Sequence, residues 1–387
     1  MDIKKEILKA TGAKEIIDIQ LIQKLWNNYG ELLRVKLAGG HSESVILKHI
    51  KLPAKNTHPK GFNTDLSKLR KIKSYQVETT WYEKYNNINR AGAGPATAKK
   101  LASFQIEEEY FILLEDLSLA GFNKLITKAN LSEIKIILSW LANFHAKFMQ
   151  KDHAGLWDNG SYWHLETRPD ELASLKDLKL KQAASLIDKK LSNTKYLTII
   201  HGDAKLANFC FANDSTKVAA VDFQYVGRGC GMKDVAYFIG SCLSQELCQE
   251  LEDEILDFYF SELLQNVQDL KVDKKELETQ WRALYPLAWA DFHRFLKGWS
   301  ADHWKINSYS EQMIENATDS IMQELLATAK QACTGAGELI KSYWKKEFKI
   351  NSKNGSTLSS SVVTEVDLLA QEKILKILKP SIDTYEL

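Results

Sequence analysis

Two short segments constrain this chain of 387 residues more than any other feature: HGDAKLANF, which begins at residue 201, and VDFQ, which begins at residue 221. The first places Asp203, Lys205 and Asn208 on one loop, and the second ends a short apolar run with Asp222. Phosphoryl transfer from ATP requires a carboxylate for the hydroxyl proton, a cation near the moving phosphate and oxygen ligands for Mg2+. The spacing therefore predicts one phosphoryl-transfer site built from two adjacent backbone segments.

The combination of the two segments is more specific than either part. A lone HGD triplet is weak evidence, because a tight loop with a helix cap and a turn aspartate also explains it. HGD-x-K-x-x-N followed by Asp-Phe-Gln after a β-like run is strong evidence. We predict that Asp203 accepts a proton from the acceptor hydroxyl or orients it, and that Lys205 neutralises the γ-phosphate. Asn208 and Asp222 are the predicted ligands of Mg2+.

The same segments resemble the choline kinase and aminoglycoside phosphotransferase group, and within it the ecdysteroid-kinase-like branch, also called CHK-type kinases. The resemblance implies an α+β, protein-kinase-like fold with a small antiparallel-sheet lobe and a mainly helical lobe. It also implies a small-molecule substrate. Two departures from protein kinases agree with this: Gly202 replaces the arginine of His-Arg-Asp, and Gln224 replaces the glycine of Asp-Phe-Gly. No Ala-Pro-Glu follows, so we do not expect a protein substrate.

Composition argues against several other classes of protein. Lys and Arg number 51 against 50 Asp and Glu, so a net charge of +1 does not favour nucleic acid or an acidic membrane as partner. No apolar run reaches membrane-spanning length, and the charged start lacks the apolar core of a signal peptide. The five cysteines show no C-x-x-C spacing, which favours buried thiols in a reducing cytoplasm. We therefore expect a cytoplasmic protein.

The N-terminal part is predicted to hold the nucleotide. Two β-like runs, Leu32 to Leu37 and Ser44 to Ile50, flank an Ala-Gly-Gly-His turn and predict a hairpin. The segment Trp26 to Gly30 precedes the hairpin and contains one glycine. By its position before a strand and a lysine, and by the resemblance, it is the predicted nucleotide loop, with Tyr29 and Gly30 as cofactor-binding residues.

Lys48 and Glu78 are the predicted anchor of the α- and β-phosphates. A lysine in a strand is usually a solvated edge residue, so the pattern alone favours such a role only weakly. The resemblance strengthens it, because kinases place a phosphate-binding lysine on the third strand. The partner carboxylate would come from the predicted helix over Lys68 to Tyr85, where the resemblance favours Glu78 over Glu83.

The strand-like run Tyr110 to Leu114 ends at Glu115, where the resemblance places the hinge between the lobes. Backbone groups there would pair with the adenine edge, and Glu115 is a cofactor-binding candidate. We expect a first lobe over residues 1–117 and a second over 118–318.

The second lobe is predicted to begin with a long helix. The capping-box pattern of Asn130 and Glu133 starts it, and it is expected to extend from Leu131 to Gln150. His145 on this helix is expected to be a core histidine rather than a catalyst. The resemblance implies that Asp234 braces the catalytic loop through hydrogen bonds.

An aromatic-rich segment from Trp281 to Trp304 is expected to wall the acceptor pocket. Helical spacing predicts that most of its aromatic side chains lie in the core. Tryptophan faces can also hold a quaternary ammonium group, worth about 0.5–2 kcal/mol each, or pack on a flat apolar substrate such as a sterol. Trp289 and Trp299 are the aromatic substrate candidates, and Asp291 is the acidic candidate for a cationic acceptor.

Residues 319–387 differ in character from the rest. An amphipathic helix is predicted over Ile321 to Phe348, followed by a Ser/Lys/Gly/Asn-rich loop and a VT-x-x-D motif formed by Thr364 and Asp367. This motif resembles the N-terminus of inositol monophosphatase and bisphosphate nucleotidase enzymes, which implies a truncated phosphatase segment. A helix–strand–helix appendage with Asp367 as an N-cap competes with that interpretation. A truncated domain would leave the apolar helix face of Leu325, Leu339 and Ile340 without its partner, so that this face would pack on the kinase lobe, pair with another chain or stay mobile.

The combined expectation is an ATP- and Mg2+-dependent kinase that phosphorylates a hydroxyl of a choline-, aminoglycoside- or steroid-like alcohol. One alternative is a catalytically silent kinase fold that serves as a binding or scaffold module. The presence of Asp203, Asn208, Asp222 and Lys48 disfavours it. A second alternative is a kinase fused to a phosphatase whose catalytic part lies beyond this chain.

Overall fold

The computed structural model describes residues 2–25, 29–51, 65–86, 95–267, 271–344, 346–352 and 362–382. In these ranges the chain forms a small lobe built on an antiparallel sheet and a larger, mainly helical lobe, as predicted. The elements up to the hinge are α1 (Ile3–Thr11), β1 (Glu15–Lys24), β2 (Gly30–Ala38), β3 (Ser44–Ile50), α2 (Asp65–Thr80), β4 (Ala96–Thr97), β5 (Lys100–Ile106) and β6 (Glu109–Glu115).

The sheet of the first lobe places Lys48 at its centre. Its strands lie in the order β1-β2-β3-β6-β5, and every neighbouring pair is antiparallel. Lys48 on β3 is in register with Leu32 on β2 and with Ile112 on β6. Because both ladders hold β3, its backbone is fixed on two sides at the predicted phosphate anchor.

The predicted hairpin is present as β2 and β3, whereas the sequence analysis did not identify β1. Ile17, Ile19 and Leu21 do alternate with polar residues, which is the usual signal of a strand, but the segment was interpreted as part of one charged amphipathic stretch. The alternation does not mark a buried face, because nearly all side chains of β1 are exposed.

The second lobe consists mainly of helices around four short strands, which flank the segments from His201 and Val221. Its elements are α3 (Leu131–Phe148), α4 (Pro169–Ser174), α5 (Leu178–Ser192), β7 (Thr198–Ile200), β8 (Phe209–Phe211), β9 (Val218–Ala220), β10 (Gly227–Gly229), α6 (Met232–Cys242), α7 (Gln245–Asn266), α8 (Lys274–Trp299) and α9 (Ser308–Ser342). Helix α3 begins with the predicted capping box of Asn130 and Glu133. Among the described residues, no helix combines the length and apolar character needed to cross a bilayer.

The two lobes share an aromatic core. Phe223, directly after the second predicted metal ligand, is fully buried and stacks on Trp81 with 4.7 Å between ring centroids. Trp81 opens a π-helical turn that continues α2, and it also contacts Phe144 and Phe148 of α3. The Asp-Phe-Gln segment is thereby packed between the helix of the first lobe and the first helix of the second.

Asp116 braces the hinge. Its carboxylate accepts hydrogen bonds from Arg34 at 2.7 Å, from Ser44 at 2.6 Å and from Ser118. Burial alone would raise the pKa of Asp116, but these hydrogen bonds outweigh it and lower the pKa to about 2. The ionised carboxylate therefore fastens the end of β6 to β2 and β3.

The start of the C-terminal helix corrects the predicted boundary. Helix α9 begins at Ser308 rather than at Ile321, so the expected division at residue 318 falls inside one continuous helix. Asn307 caps it, and the Ser310 side chain completes the capping box. The predicted box signature has Glu or Gln at this third position, which is why serine did not mark the start.

Beyond α9 the chain forms a hairpin of β11 (Ile350–Ser352) and β12 (Val362–Thr364), then α10 (Glu365–Ile382). Thr364, not Asp367, occupies the N-cap position of α10. The Thr364 N–H donates to Asp367 Oδ2 at 2.8 Å, and the Asp367 N–H donates to Thr364 Oγ1 at 3.2 Å. Asp367 is thus the second member of a capping box rather than the cap itself.

The N-terminal half of α9 belongs to the second lobe, and this can be tested by mutation. Ile321 is 3% exposed in the main core, whereas the adjacent Met322 is 57% exposed. We predict that Ile321→Ala lowers the free energy of unfolding by about 2–5 kcal/mol, because it empties a packed site. Met322→Ala, the matched control, should change it by less than about 0.5 kcal/mol. Equal urea midpoints for the two variants would contradict this packing.

Candidate active site

The predicted catalytic loop converges on the Asp203 carboxylate. The loop follows β7 and ends in a 3-10 turn before β8. Lys205 Nζ donates to Asp203 Oδ2 at 2.9 Å, and Asn208 Nδ2 donates to the same oxygen at 3.1 Å. Asn208 Nδ2 also donates to the Asp203 backbone carbonyl at 2.8 Å, which closes the loop on itself. The structure therefore brings together the three loop residues that the motif singled out.

Asp234 at the start of α6 braces this loop from below, as the resemblance implied. Its two carboxylate oxygens accept the backbone N–H groups of His201 at 2.6 Å and Gly202 at 2.9 Å. Gly202 has φ +76°, and a Cβ there would lie 2.1 Å from the Tyr225 carbonyl oxygen. Burial alone would raise the pKa of Asp234, but hydrogen bonds, first among them that of His145, lower it.

His145 is a core histidine, as expected. The side chain is fully buried, and both ring nitrogens have partners. Nδ1 lies 2.7 Å from the Tyr259 hydroxyl, and Nε2 lies 3.1 Å from Asp234 Oδ2. His145 therefore positions Asp234, and Asp234 in turn holds the loop from His201.

Lys48 and Glu78 form the expected ion pair, with Nζ 2.7 and 2.8 Å from the two carboxylate oxygens. The same ammonium lies 3.0 Å from Asp222 Oδ1, so one buried cation joins α2 to the end of β9. Burial would lower the pKa of Lys48, but the carboxylates of Asp222 and Glu78 outweigh it and raise the pKa. The lysine is therefore held in its charged form.

Asp222 is turned towards Lys48 by an unusual backbone conformation. Its φ is +66°, in the left-handed region that residues other than glycine adopt infrequently. Burial would raise the pKa of Asp222, but the lysines Lys48 and Lys205 hold it well below the ordinary value. An ionised aspartate in a strained backbone between two cations is typical of a functional site rather than of a turn.

Gln224 is a site residue that the sequence analysis noted only as a departure from Asp-Phe-Gly. Its amide Nε2 donates to Asp222 Oδ1 at 2.8 Å. Its Oε1 accepts from Lys71 Nζ at 2.6 Å and from Ser74 Oγ at 3.3 Å, both on α2. The Gln224 side chain therefore connects α2 with Asp222, as Lys48 does through its contacts with Glu78 and Asp222. The sequence did carry one signal for this role: Gln224, with a long amide side chain, stands where Asp-Phe-Gly has a glycine without a side chain.

Tyr237 is a second residue that sequence reasoning missed. Its hydroxyl donates to Asp203 Oδ1 at 3.1 Å, so both oxygens of the Asp203 carboxylate are held. Tyr237 lies on α6, where it forms one wall of an aromatic cluster with Trp163, Phe292 and Phe295. No local pattern in the sequence connects it with a loop 34 positions earlier.

The nucleotide-side candidates are distributed around the lobe junction. Tyr29 is buried directly before β2, and its backbone carbonyl accepts the Lys51 N–H at 3.0 Å. Gly30 has φ +127°, and a Cβ there would lie 2.0 Å from the His49 carbonyl oxygen, so strand packing alone requires glycine. Glu115 ends β6 and accepts the Lys99 N–H at 3.1 Å. The rest of the predicted nucleotide loop, residues 26–28, lies outside the described residues.

Asp291 does not lie on an acceptor surface, which corrects its assignment to a cationic substrate. The carboxylate is fully buried, with Arg294 Nη2 2.9 Å from Oδ1 and Lys233 Nζ 3.4 Å from Oδ2. The Trp163 indole also donates to Oδ2 at 2.9 Å. Sequence spacing placed Asp291 on an aromatic helix but could not show that two cations already compensate it inside the lobe.

The two tryptophan candidates have different surroundings. Trp289 is 3% exposed and packs between Tyr309 and His293 in the core, so it does not face an acceptor. Trp299 is half-buried at the end of α8 and stacks on Phe295 with 6.2 Å between centroids. Of the two, only Trp299 borders the aromatic cluster that adjoins Asp203.

Asn208 and Asp222 retain the oxygens that a metal ion would need. The Asn208 amide nitrogen is committed to Asp203, which leaves its Oδ1 pointing elsewhere. Asp222 Oδ1 accepts from Lys48 and Gln224, and within the described residues Oδ2 accepts no hydrogen bond. In the same part of the chain no group of three or more His, Cys, Asp or Glu side chains could hold a metal by itself. One carboxylate and one amide oxygen fit Mg2+ that is also coordinated by phosphates and water.

The two-lobed fold, the buried lysine–glutamate pair and the HGD loop define a chain of the protein-kinase-like class. The model of the ecdysteroid kinase-like family matches residues 26–154 and 147–272, which together span well over half of the chain. The chain belongs to the ecdysteroid kinase-like family. The matched residues end at 272, so this match does not bear on the C-terminal segment, whose likeness to inositol monophosphatases stays a prediction. No curated protein matches this sequence.

Three solved structures are similar to the chain at a lower level. An aminoglycoside-3'-phosphotransferase of type VIII is 14% identical, with a TM-score of 0.42 over 74% of this chain and 98% of that one. The amicoumacin kinase hAmiN is 14% identical, with a TM-score of 0.47 over 84% and 94%. The Plasmodium vivax ethanolamine kinase is 15% identical, with a TM-score of 0.44 over 78% and 82%. Likenesses at this level carry no argument about the substrate of this chain.

The brace beneath the catalytic loop gives a prediction about stability. Asp234→Asn replaces one carboxylate oxygen with an amide NH2 group, which cannot accept the backbone N–H that faces it. Each buried donor without a partner costs about 1–3 kcal/mol. The free energy of unfolding should fall by at least that much. Asp214→Asn, on an exposed turn, is the control and should stay within about 0.5 kcal/mol of the unaltered protein. Denaturant unfolding that fails to separate the two variants would refute the bracing role.

Proposed function

We propose that this chain is an ATP- and Mg2+-dependent kinase that transfers the γ-phosphoryl group to a hydroxyl of a small molecule. The observation that carries the proposal is the chain of contacts Glu78–Lys48–Asp222 beside the Asp203 loop. It supplies a fixed cation, a strained ionised carboxylate and a held catalytic aspartate at the junction of the lobes. Phosphoryl transfer depends mainly on such positioning and charge compensation.

On the nucleotide side, Lys48 would contact the α- and β-phosphates. Glu78 and Asp222 keep its ammonium charged and fix its direction, so little side-chain entropy remains to be lost when the nucleotide binds. The backbone around Glu115 would pair with the adenine edge, and Asp116 holds that backbone in place. Tyr29 and Gly30 would cover the phosphates from the connection between β1 and β2.

Asn208 and Asp222 would hold Mg2+. When bound, the ion supplies charge compensation for the phosphate oxygens. Lys205 lies next to both carboxylates of the site. Burial would lower the pKa of Lys205, but Asp203 and Asp222 outweigh it and raise the pKa, so its ammonium stays charged for the γ-phosphate.

Asp203 would receive the acceptor hydroxyl. Its Oδ2 is bonded to Lys205 and Asn208, the residues of the phosphate and metal side. Its Oδ1 is bonded to Tyr237, which belongs to the aromatic cluster. A hydroxyl approaching from that cluster meets a carboxylate whose rotation is already restricted, and the proton can move to it as the phosphoryl group transfers.

The alternatives are less well supported by the geometry. A silent scaffold has no need for a non-glycine residue at positive φ between two lysines, which is where Asp222 lies. For the C-terminal segment, descent from an inositol monophosphatase-like domain stays a proposal that rests on the Thr364–Asp367 motif alone. That motif is engaged in capping α10. Self-association through this segment likewise stays a proposal, supported by exposed apolar residues such as Trp344 and Leu368.

The role of Asp203 can be measured directly. Asp203→Asn keeps the shape and the hydrogen bond from Tyr237 but cannot accept a proton as a carboxylate does. We predict that turnover falls by about 10²–10⁴, whereas the dissociation constant for Mg–ATP changes little. The measurement is the initial rate of ADP release with an acceptor identified from a panel of alcohols. Turnover equal to that of the unaltered protein would show that another group performs this step.

The metal ligands should differ in importance because one is charged and the other neutral. We predict that Asp222→Ala removes measurable binding of Mg–AMP-PNP in calorimetry, and that Asn208→Ala weakens it less. Chelation of Mg2+ should reproduce the Asp222→Ala result in the unaltered protein. Undiminished affinity in Asp222→Ala would be incompatible with the proposed kinase activity.

A further inference from the structure

Lys305, in the connection between α8 and α9, is a half-buried lysine for which the mechanism above has no use. Its Nζ lies 5.0 Å from the centroid of the Tyr237 ring and 5.6 Å from those of Phe292 and Trp304. No carboxylate of the described residues lies within salt-bridge distance of it. Three aromatic rings therefore lie near the ammonium of Lys305, whereas most buried lysines pair with an acidic side chain.

Other buried lysines of the second lobe and the site differ in this respect. Lys48 has Glu78 and Asp222 within 3.0 Å, and Lys233 has Asp291 at 3.4 Å. Aromatic faces attract a cation, but more weakly than a carboxylate does when both are desolvated. Lys305 therefore retains the capacity for one strong anionic contact.

The position of Lys305 assigns it to the acceptor side of Asp203. Tyr237 lies between them: its ring faces the ammonium, and its hydroxyl donates to Asp203 Oδ1 at 3.1 Å. The phosphate side of the aspartate, Oδ2, is occupied by Lys205 and Asn208. A molecule that offers its hydroxyl to Asp203 from the aromatic cluster would pass within reach of Lys305.

The charge balance on this side agrees with an anionic ligand. Burial lowers the pKa of Lys305 to about 8, and Lys205 adds to that effect against the opposing influence of Asp203. An anion beside Lys305 would favour its charged form. Asp291, the predicted partner of a cationic acceptor, is enclosed with Arg294 and Lys233.

We propose that Lys305 binds an oxyanion of the acceptor, so that the substrate is an alcohol with an apolar or aromatic body and a carboxylate or similar anionic group. The proposal rests on the kinase function proposed above. The ring of Trp304, 66% exposed, would contact the body of the molecule, whereas Tyr237 and Phe292 are buried beside the ammonium. A cationic alcohol would place its charge against the ammonium of Lys305 and is disfavoured at this site.

The test uses three benzylic alcohols that share one ring and hydroxymethyl group and carry an anionic, a neutral or a cationic para substituent: 4-(hydroxymethyl)benzoate, 4-methylbenzyl alcohol and 4-(aminomethyl)benzyl alcohol. Their binding to the full chain, saturated with Mg–AMP-PNP, is measured by calorimetry. We expect the anion to bind roughly ten- to hundredfold more tightly than the neutral alcohol, as a charge-assisted hydrogen bond allows. The cation should bind most weakly.

Two substitutions locate the effect. Lys305→Met should remove the preference for the anion, and Lys305→Arg should retain it because the positive charge stays. Lys346→Met is the matched control: Lys346 also lies over a tyrosine ring, 5.8 Å from the centroid of Tyr343, but on the C-terminal segment. It should leave all three affinities unchanged.

The outcomes separate this inference from the proposed function. Failure of the unaltered protein to bind Mg–AMP-PNP would overturn the kinase function and this inference with it. Normal nucleotide binding without discrimination among the three alcohols, or binding of none of them, would overturn the inference alone. The inference would also fail if Lys305→Met weakened Mg–AMP-PNP itself, since the lysine would then act on the phosphates.

Discussion

A single buried ammonium, that of Lys48, joins the three parts of the molecule on which the site depends. It is held on β3 between two ladders, pairs with Glu78 of α2 and reaches Asp222 at the end of β9. Two carboxylates around one cation leave a net negative charge in the junction. Such a charge is unfavourable to bury alone, and Lys71 and Lys205 offset it at Asp222. The central interaction of the fold therefore depends on lysines of α2 and of the loop from His201 as well as on Lys48.

The rest of the structure limits how far those three parts can separate. Phe223 stacks on Trp81, and Gln224 links Asp222 to Lys71, so the Asp-Phe-Gln segment is fastened to α2 by packing and by polar contacts. At the hinge, Asp116 ties β6 to β2 and β3. Because these contacts come from different elements, no single loop movement releases Asp222. Under the proposed function, these contacts would hold the geometry that phosphoryl transfer needs.

Sequence reasoning succeeded where chemistry fixes spacing within one segment and failed where partners come from distant elements. The loop from His201 and the capping box of α3 are local, so the motif alone determines their contacts. The bracing by Asp234 and the pair of Lys48 with Glu78 required the family resemblance, since nothing local links them. Tyr237 and the proposed role of Lys305 were missed because they depend on which faces of α6 and of the α8–α9 connection lie near Asp203. The sequence also did not show which side chains are buried. Asp291 was therefore predicted to face a cationic acceptor, although Lys233 and Arg294 enclose it.

The two oxygens of Asp203 divide the site into a part built by one continuous motif and a part built by distant elements. Oδ2 faces Lys205 and Asn208, which lie on the same loop as the aspartate, so the phosphate side is encoded in one continuous motif. Oδ1 faces Tyr237 and, beyond it, Lys305, which come from α6 and from the connection after α8. Substitutions in that connection can change the charge offered to an acceptor without altering any contact of the phosphate side. Under the proposed function, the acceptor is therefore selected by residues that the motif does not contain, which is why the motif predicts the reaction and not the substrate.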